Sequence, residues 1–385
     1  MINKVVKNFI QQSKSSYGVP IGMGKVGGDP FLTTSYVRGA RRTGFEQGND
    51  AAEESLRRKI DPATTSVVLF PGQGTQYVGM CGNPAQLPRY VQVLYEIASS
   101  ILDYDLLDLC ANGPQEKLDQ TIHSQPAILV GSLAALERLR EEDPVSIEKC
   151  VATAGFSIGE LTALVFAGVI SFEDSIRLVK VRAEAMQLAS ELTPSGMSTV
   201  LYGADSKLNY SLLVAKEWCR REHNIENPTC SIANYLFPHC KVVAGNIEAL
   251  QFLEMNYKDF NLRRVKRLPV SGAFHTDLMQ PAVDPLRQVM KGMTINRPRM
   301  LVFSNVTGYR YHGSDDLMRN LPKQIVRPVM WEQTLHTIYK RPKDSEYPNS
   351  FECGPGTSLS TVLKQVNNRA HAKCKSVSPF STNAE

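Results

Sequence analysis

The pentapeptide Gly155-Phe156-Ser157-Ile158-Gly159 constrains the fold of this chain more than any other feature of the sequence. A serine with glycine two positions before and after it is typical of a nucleophile elbow, a sharp turn between a strand and a helix. The apolar run at residues 161–166 fits a buried helix. The turn would hold the Ser157 hydroxyl in a cleft, beside the free N–H groups at the helix start. The alternative is a glycine-rich helix start with Ser157 as a cap.

Short strands and helices alternate around this elbow. Residues 67–70 predict a strand, and the loop Gly72-Gln73-Gly74 follows shortly after it. The predicted elements that follow are helices at 90–109, 127–139 and 172–192, a return strand at 302–305 and a helical segment from Gln324. Such alternation predicts an α/β fold with a parallel sheet, resembling α/β-hydrolases. Ligands bind beyond the carboxyl ends of such strands, where both Gln73 and Ser157 would lie.

The pattern changes between residues 196 and 268. It predicts the order β-α-β-β-α-β, which is that of a small ferredoxin-like subdomain inserted into the large domain. The predicted elements are strands at 197–202, 230–234, 241–244 and 264–269, and helices at 207–221 and 247–257. The large domain would then comprise residues 61–195 and 269–375, followed by a polar tail at 376–385.

The positive charge of the chain is concentrated near its start. Residues 1–45 contain seven basic residues and one acidic residue, whereas the other 340 contain 36 basic and 37 acidic residues. The nearly neutral body argues against a general nucleic-acid binder. The acid-poor, Ser- and Arg-containing leader is typical of a mitochondrial transit peptide, which predicts a location in the matrix. The alternative is a disordered basic tail, and residues 1–60 are excluded from the fold in either case.

Cysteine spacing and hydropathy exclude several other classes. The eight cysteines have no Cys-x-x-Cys spacing, which favours free thiols in a reducing compartment over disulfides or a zinc site. The longest strongly apolar segment, residues 161–172, is shorter than the roughly 20 residues that span a bilayer. We therefore expect a protein without a membrane span, a metal or a bound organic cofactor.

Several ordered motifs between about residues 67 and 363 carry a resemblance to a known family. They are Phe-Pro-Gly-Gln-Gly-Thr-Gln at 70–76, Gln125-Pro126-Ala127, Gly-Phe-Ser-Ile-Gly-Glu at 155–160, Arg182, Ala233-Asn234, Gly-Ala-Phe-His at 272–275 and Glu-Cys-Gly-Pro-Gly at 352–356. In order and spacing they resemble the mitochondrial type of malonyl-CoA:acyl carrier protein transacylase. Many bacterial members have histidine before the serine, where this chain has Phe156.

The resemblance implies a Ser-His dyad. Ser157 would be the nucleophile, and a hydroxyl of such high pKa needs an adjacent base. Of the seven histidines, only His275 follows a glycine-rich predicted strand end, at residues 271–274. By resemblance His275 is the base, and the backbone carbonyl of Gln324 orients it. The oxyanion hole would be formed by two backbone N–H groups: that of Ile158, directly after the nucleophile, and, by resemblance, that of Gln73.

The resemblance also implies the substrate. Arg182 would bind the malonyl carboxylate in bidentate fashion. Asn234 would help to line the acyl pocket, and the alternative is that it supports the fold. From the residues alone, Arg182 could instead be a surface arginine paired with Glu184 or Asp174. Malonyl-CoA and acyl carrier protein would be the partners of a ping-pong reaction that supplies fatty acid synthesis, and we expect a monomer. The alternative function is a serine thioesterase or hydrolase with the same elbow.

Acyl carrier proteins are acidic, so a basic docking surface is expected near the cleft. The densest basic cluster of the body consists of Arg263, Arg264, Lys266 and Arg267, and it precedes His275 by a few residues. We call these four residues the basic cluster and take them as the candidate docking surface. A solvated strand face is the alternative interpretation.

Overall fold

The computed structural model describes residues 62–270, 272–342 and 344–379. The predicted leader lies outside these residues, as do residues 380–385 of the predicted tail. The strands are β1 Ser66–Phe70, β2 Cys150–Gly155, β3 Ser195–Tyr202, β4 Cys230–Phe237, β5 Cys240–Asn246, β6 Leu262–Arg267, β7 Leu301–Val302, β8 Asn349–Cys353 and β9 Cys374–Val377. The helices are α1 Arg89–Leu102, α2 Leu106–Asn112, α3 Gln115–Leu118, α4 Thr121–Glu142, α5 Pro144–Glu148, α6 Ile158–Phe166, α7 Phe172–Leu192, α8 Leu208–His223, α9 Ile247–Asn256, α10 Val283–Lys291, α11 Ser314–Asn320, α12 Trp331–Tyr339, α13 Ser358–Val366 and α14 Asn368–His371.

Five strands form a parallel sheet in the order β7-β2-β1-β8-β9. The central strand β1 is buried on both faces because its side chains alternate between two hydrophobic clusters. Val68 and Phe70 belong to the cluster that also contains α4, α6 and α7 residues. Val67 and Leu69 belong to the other cluster, which contains residues of α12 and α13. The prediction of a parallel sheet flanked by helices is confirmed.

The second sheet is antiparallel, with the order β4-β5-β3-β6. With α8 after β3 and α9 after β5, the chain order is the predicted β-α-β-β-α-β of a ferredoxin-like unit. One face of this sheet packs against α8 and α9 through side chains such as Val200 and Val243. The opposite face contributes Met197 and Ala244 to the main core. We propose residues 196–268 as the limits of this inserted unit.

The predicted helix at 90–109 is wrong in one respect, because the chain forms α1 and α2 instead. Asp103 ends α1 in a left-handed conformation, with φ of 66°. The Asp105 side chain then caps α2 by accepting a hydrogen bond from the Asp108 N–H at 2.9 Å. Aspartate favours such caps and turns over a helix interior, which explains the break.

The predicted helical segment from Gln324 also begins differently. Gln324 lies in a 3₁₀ turn, Pro322–Val326, and α12 begins only at Trp331. Pro328 disfavours a helical conformation in the residue before it, and Arg327 is extended, with φ of −122° and ψ of 149°.

All eight cysteines are free thiols, and seven of them are buried. Among the residues that the structure describes, none of the helices has the length and apolar character needed to cross a membrane.

Candidate active site

Ser157 lies in a tight turn between β2 and α6. Its φ of 53° and ψ of −109° are unfavourable for a residue with a side chain, which is a feature of nucleophile elbows. The flanking glycines make the turn possible. A Cβ on Gly155 would lie 1.9 Å from the Gly159 carbonyl carbon, and one on Gly159 would lie 2.3 Å from the Phe70 carbonyl oxygen. The predicted strand–elbow–helix unit is therefore present.

The Ser157 hydroxyl contacts a buried imidazole. Its Oγ lies 2.9 Å from His275 Nε2, and His275 Nδ1 lies 2.7 Å from the Gln324 carbonyl oxygen. Because a carbonyl only accepts, Nδ1 carries the proton and Nε2 is left to accept from the serine. Burial, and then the Arg182 charge, lower the pKa of His275 to about 4. The imidazole is thus neutral at physiological pH and able to act as a base.

His275 reaches this position from a loop. The prediction of a strand end is wrong for residues 272–274, which are irregular. His275 itself has a left-handed φ of 62°, and its N–H donates to the Ile325 carbonyl at 3.0 Å. A Cβ on Gly272 would lie 2.1 Å from Ser190 Oγ, so the loop packs tightly against α7. This packing and the hydrogen bond to Ile325, and not strand pairing, hold the loop in place.

Arg182 projects from α7 into the interior and is only 2% exposed. Its Nη1 donates to Gln125 Oε1 at 2.6 Å. Its Nη2 donates to Gln324 Oε1 at 2.7 Å and to Ser157 Oγ at 3.1 Å. The alternative of a surface arginine is therefore wrong, and Asp174 instead pairs with Arg177 at 3.1 Å. Burial lowers the pKa of Arg182 to about 10, which still leaves the guanidinium charged at neutral pH.

The loop after β1 lies beside the elbow because Phe70 and Gly155 are partners in the register of two parallel strands. A Cβ on Gly72 would lie 2.7 Å from the Phe156 carbonyl oxygen, so the approach is close. Gln73 follows directly, and its Oε1 accepts from Gln125 Nε2 at 3.3 Å. On the elbow side, Ile158 is the first residue of α6, so its N–H has no acceptor within the helix.

Sequence reasoning missed Glu160, a fully buried carboxylate in the first turn of α6. It accepts hydrogen bonds from Gln324 Nε2 at 2.6 Å, from the Asn305 N–H at 3.3 Å and from the Tyr311 hydroxyl. Burial raises its pKa to about 7, although these three hydrogen bonds and the Arg182 charge act in the opposite direction. The available signal was a single carboxylate directly before the apolar run at 161–166.

Asn305 is a second residue that the sequence did not single out. Its Oδ1 accepts from the Ser157 N–H at 2.7 Å, and its Nδ2 donates to the Gly155 carbonyl at 2.7 Å. Both sides of the elbow are thereby tied to one buried side chain. The side chain of Phe156 packs edge-on against Trp331, with ring centroids 5.6 Å apart.

Asn234 is buried on β4, where its neighbours in the chain pair with Val329 through backbone hydrogen bonds. Its Oδ1 has no hydrogen-bond partner within the part of the chain that the structure describes. No hydrogen bond in the described residues joins Asn234 to Ser157 or Arg182. Asn234 therefore lies less close to the nucleophile than His275, which is hydrogen-bonded to Ser157.

The basic cluster lies on β6, an edge strand of the small sheet. Arg267 is half-buried and paired with Glu254 at 2.8 Å, whereas Arg263, Arg264 and Lys266 are exposed. Arg264 and Lys266 project from the face opposite Val265, which packs with α8 and α9. They therefore lie on the side of the sheet that faces the large domain.

The arrangement suits acyl chemistry on Ser157. Across the described ranges, no three or more His, Cys, Asp or Glu side chains converge to hold a metal ion. A neutral imidazole, a serine hydroxyl and a buried guanidinium meet at one point, at the carboxyl end of a parallel sheet.

Comparison with known proteins agrees with this geometry. Residues 67–325 match the model of the acyl transferase domain, so the chain is an acyltransferase by fold and site. A probable mitochondrial malonyl-CoA–acyl carrier protein transacylase of Drosophila melanogaster is 52% identical over 322 residues, which are 84% of each chain. The chain belongs to the family of mitochondrial malonyl-CoA–acyl carrier protein transacylases.

Solved structures share the fold. The malonyl-CoA–acyl carrier protein transacylase of Coxiella burnetii has a TM-score of 0.70 at 30% identity, covering 83% of this chain and 95% of that one. A malonyl-transacylase in complex with its type II PKS acyl carrier protein has a TM-score of 0.69 at 31% identity, covering 81% of this chain and 94% of that one.

Proposed function

We propose that this protein transfers the malonyl group from malonyl-CoA to the phosphopantetheine thiol of acyl carrier protein through a malonyl-Ser157 intermediate. One observation carries the proposal. Ser157 Oγ lies 2.9 Å from His275 Nε2 and 3.1 Å from Arg182 Nη2, so a nucleophile, a base and a carboxylate-binding cation share one buried site. The names of the relatives and structural neighbours support the same activity.

In the first half-reaction, His275 Nε2 takes the hydroxyl proton while Ser157 Oγ attacks the thioester carbonyl. The N–H groups of Gln73 and Ile158 stabilise the oxyanion, each by about 3 kcal/mol if they act as typical donors. Collapse of the tetrahedral intermediate breaks the carbon–sulfur bond. Coenzyme A leaves as a thiol, because His275 returns the proton to its sulfur.

In the second half-reaction, His275 takes the proton of the carrier-protein thiol, and the thiolate attacks the malonyl ester. Ser157 is released and recovers its proton from the imidazole. A dyad suffices without an acidic third member because a thioester is an activated acyl donor, and the Gln324 carbonyl already fixes the imidazole tautomer. Throughout, Arg182 holds the malonyl carboxylate by charge-assisted hydrogen bonds.

We assign supporting roles to two further regions. The buried Oδ1 of Asn234 has no hydrogen-bond partner among the described residues, which supports its place in the lining of the acyl pocket. The exposed part of the basic cluster, Arg263, Arg264 and Lys266, is proposed to dock the acidic carrier protein. The proposed location is the mitochondrial matrix, supported by the mitochondrial relatives and the basic leader. The proposed state is a monomer, since one chain supplies all three central groups.

Intact-mass spectrometry after brief exposure to malonyl-CoA tests the proposal. We expect a single malonyl adduct that disappears in Ser157→Ala, and transfer of that malonyl group to added carrier protein. The hydrolase alternative predicts multiple-turnover release of free malonate from malonyl-CoA without an acceptor. Adduct formation that persists in Ser157→Ala would exclude the assigned nucleophile.

A further inference from the structure

Gln324 contacts Ser157 and Arg182 through its side chain and His275 through its backbone carbonyl. Its Nε2 donates to the Ser157 carbonyl at 2.8 Å and to Glu160 Oε2 at 2.6 Å. Its Oε1 accepts from Arg182 Nη2 at 2.7 Å, and its backbone carbonyl accepts from His275 Nδ1 at 2.7 Å. Any force that orients the Gln324 amide therefore also orients the guanidinium.

The surroundings of this amide permit only one orientation. The Nε2 side faces two acceptors, the Ser157 carbonyl and the Glu160 carboxylate, and the Oε1 side faces a guanidinium donor. Rotation of the amide by 180° would place oxygen against two oxygens and an NH₂ group against the cation. Above its pKa of about 7, Glu160 is ionised and can only accept, so it then enforces the observed orientation more strongly than its neutral form could.

Glu160 is itself held rigidly. It is 0% exposed, its Oε1 accepts from the Tyr311 hydroxyl, and its Oε2 accepts from the Asn305 N–H at 3.3 Å. It also lies in the first turn of α6, where the helix dipole favours a negative charge. A buried carboxylate is costly unless it is hydrogen-bonded and near an opposite charge. Here one amide separates it from the only cation that touches Ser157 in the described residues.

We propose that Glu160 is a positioning residue: acting through the Gln324 carboxamide, its carboxylate holds the Arg182 guanidinium in the orientation that receives the malonyl carboxylate. This inference rests on the proposed function of Arg182. It differs from a purely structural role as a helix cap, because a cap would stabilise the fold without favouring one acyl group over another.

Glu160→Gln is the first test, because it keeps the size of the side chain and removes its charge. With a small pantetheine thiol as acceptor, we expect KM for malonyl-CoA to rise about tenfold, which corresponds to about 1.4 kcal/mol. We expect kcat/KM for acetyl-CoA to change less than about twofold, because acetyl has no carboxylate for Arg182 to bind. Equal losses for both acyl groups, with KM unchanged, would overturn the inference.

Tyr311→Phe is the second test, and it decides the question if Glu160→Gln does not fold. It removes one donor to Glu160 while leaving the contacts of Gln324 in place. We expect a rise of about fivefold in KM for malonyl-CoA alone, which corresponds to about 1 kcal/mol, the typical worth of one hydrogen bond. An equal change for acetyl-CoA, or no change, would contradict the positioning role.

Tyr339→Phe is the matched control. It also removes a buried tyrosine hydroxyl, but one that contacts Ser350 at 2.8 Å, away from Glu160. We expect it to leave the ratio of malonyl to acetyl transfer unchanged. A wild-type protein that forms no malonyl adduct would contradict the proposed function itself. If the wild type forms the adduct but the variants lower malonyl and acetyl transfer equally, only the role of Glu160 is contradicted.

Discussion

Replacement of Arg182 by methionine should invert the acyl preference of the enzyme. Methionine retains much of the aliphatic stem and removes the guanidinium, so a large cavity is avoided. In the wild type, Gln125 and Gln324 hold the buried Arg182 guanidinium beside the nucleophile, and no carboxylate among the described residues pairs with it directly. A malonyl carboxylate would satisfy this cation, whereas an acetyl methyl group would leave it uncompensated.

The magnitude follows from the hydrogen bonds that are lost. Two charge-assisted hydrogen bonds to the malonyl carboxylate are worth about 1.5–3 kcal/mol each, or about 3–6 kcal/mol together. At about 1.4 kcal/mol per factor of ten, kcat/KM for malonyl-CoA should fall by about 10²- to 10⁴-fold in Arg182→Met. The side-chain Oε1 atoms of Gln125 and Gln324 lose their donor, so some loss of stability is also expected.

The assay compares kcat/KM for malonyl-CoA and acetyl-CoA with the same small thiol, on protein shown to be folded by circular dichroism. We expect acetyl transfer to be unchanged or faster, because the uncompensated charge is gone. Parallel loss of both activities in folded protein would refute the assignment of Arg182 to the substrate carboxylate. It would indicate instead that Arg182 supports the Ser157–His275 pair.

Three further outcomes are expected. Burial and Arg182 lower the pKa of His275 to about 4, so kcat/KM for acetyl-CoA should stay constant well below pH 6.5. In Arg182→Met, the pH at which kcat/KM begins to fall on the acid side should move up toward 6.5. Gly159→Ala should lower the melting temperature strongly, because a Cβ there would lie 2.3 Å from a backbone oxygen. Gly292→Ala is the control and should leave the melting temperature nearly unchanged, because the nearest atom to its Cβ would be 3.7 Å away. Reversing the charges of Arg264 and Lys266 should raise KM for carrier protein but not for a small thiol. Reversing the charge of the exposed Lys291 is the control and should change neither KM. Equal effects of the first change on both acceptors would contradict the docking surface.

The sequence predicted the elements that local patterning controls. The glycines around Ser157 indicated the elbow because only hydrogen fits between β2, α6 and the end of β1. The order of strands and helices in residues 196–268 indicated the ferredoxin-like unit because each element has its own hydrophobic period. The helix break at Asp103 was missed, since a left-handed aspartate at a helix end resembles any polar residue on an exposed helix face.

The polar network around Arg182 was not predictable in the same way. Its partners Gln125 and Gln324 are 57 and 142 residues away in the chain. Gln125 and Glu160 entered the sequence analysis only as members of the motifs that carry the resemblance, and Gln324 only through its backbone carbonyl, so no side-chain contact of these residues was predicted. Such contacts depend on how α4, α6 and α7 pack together, which no local pattern specifies.

The charge of Arg182 links substrate choice to the strength of the base. A positive charge beside the imidazole disfavours the imidazolium form, and this effect contributes to the low pKa of His275 in the free enzyme. When the malonyl carboxylate binds Arg182, it neutralises that charge within the same water-excluded site. The pKa of His275 must then rise, which makes the imidazole a stronger base at the moment when Ser157 attacks. An acetyl group brings no such charge, so it would meet both an unsatisfied cation and a weaker base. Discrimination against acetyl should therefore appear in the acylation rate constant as well as in binding.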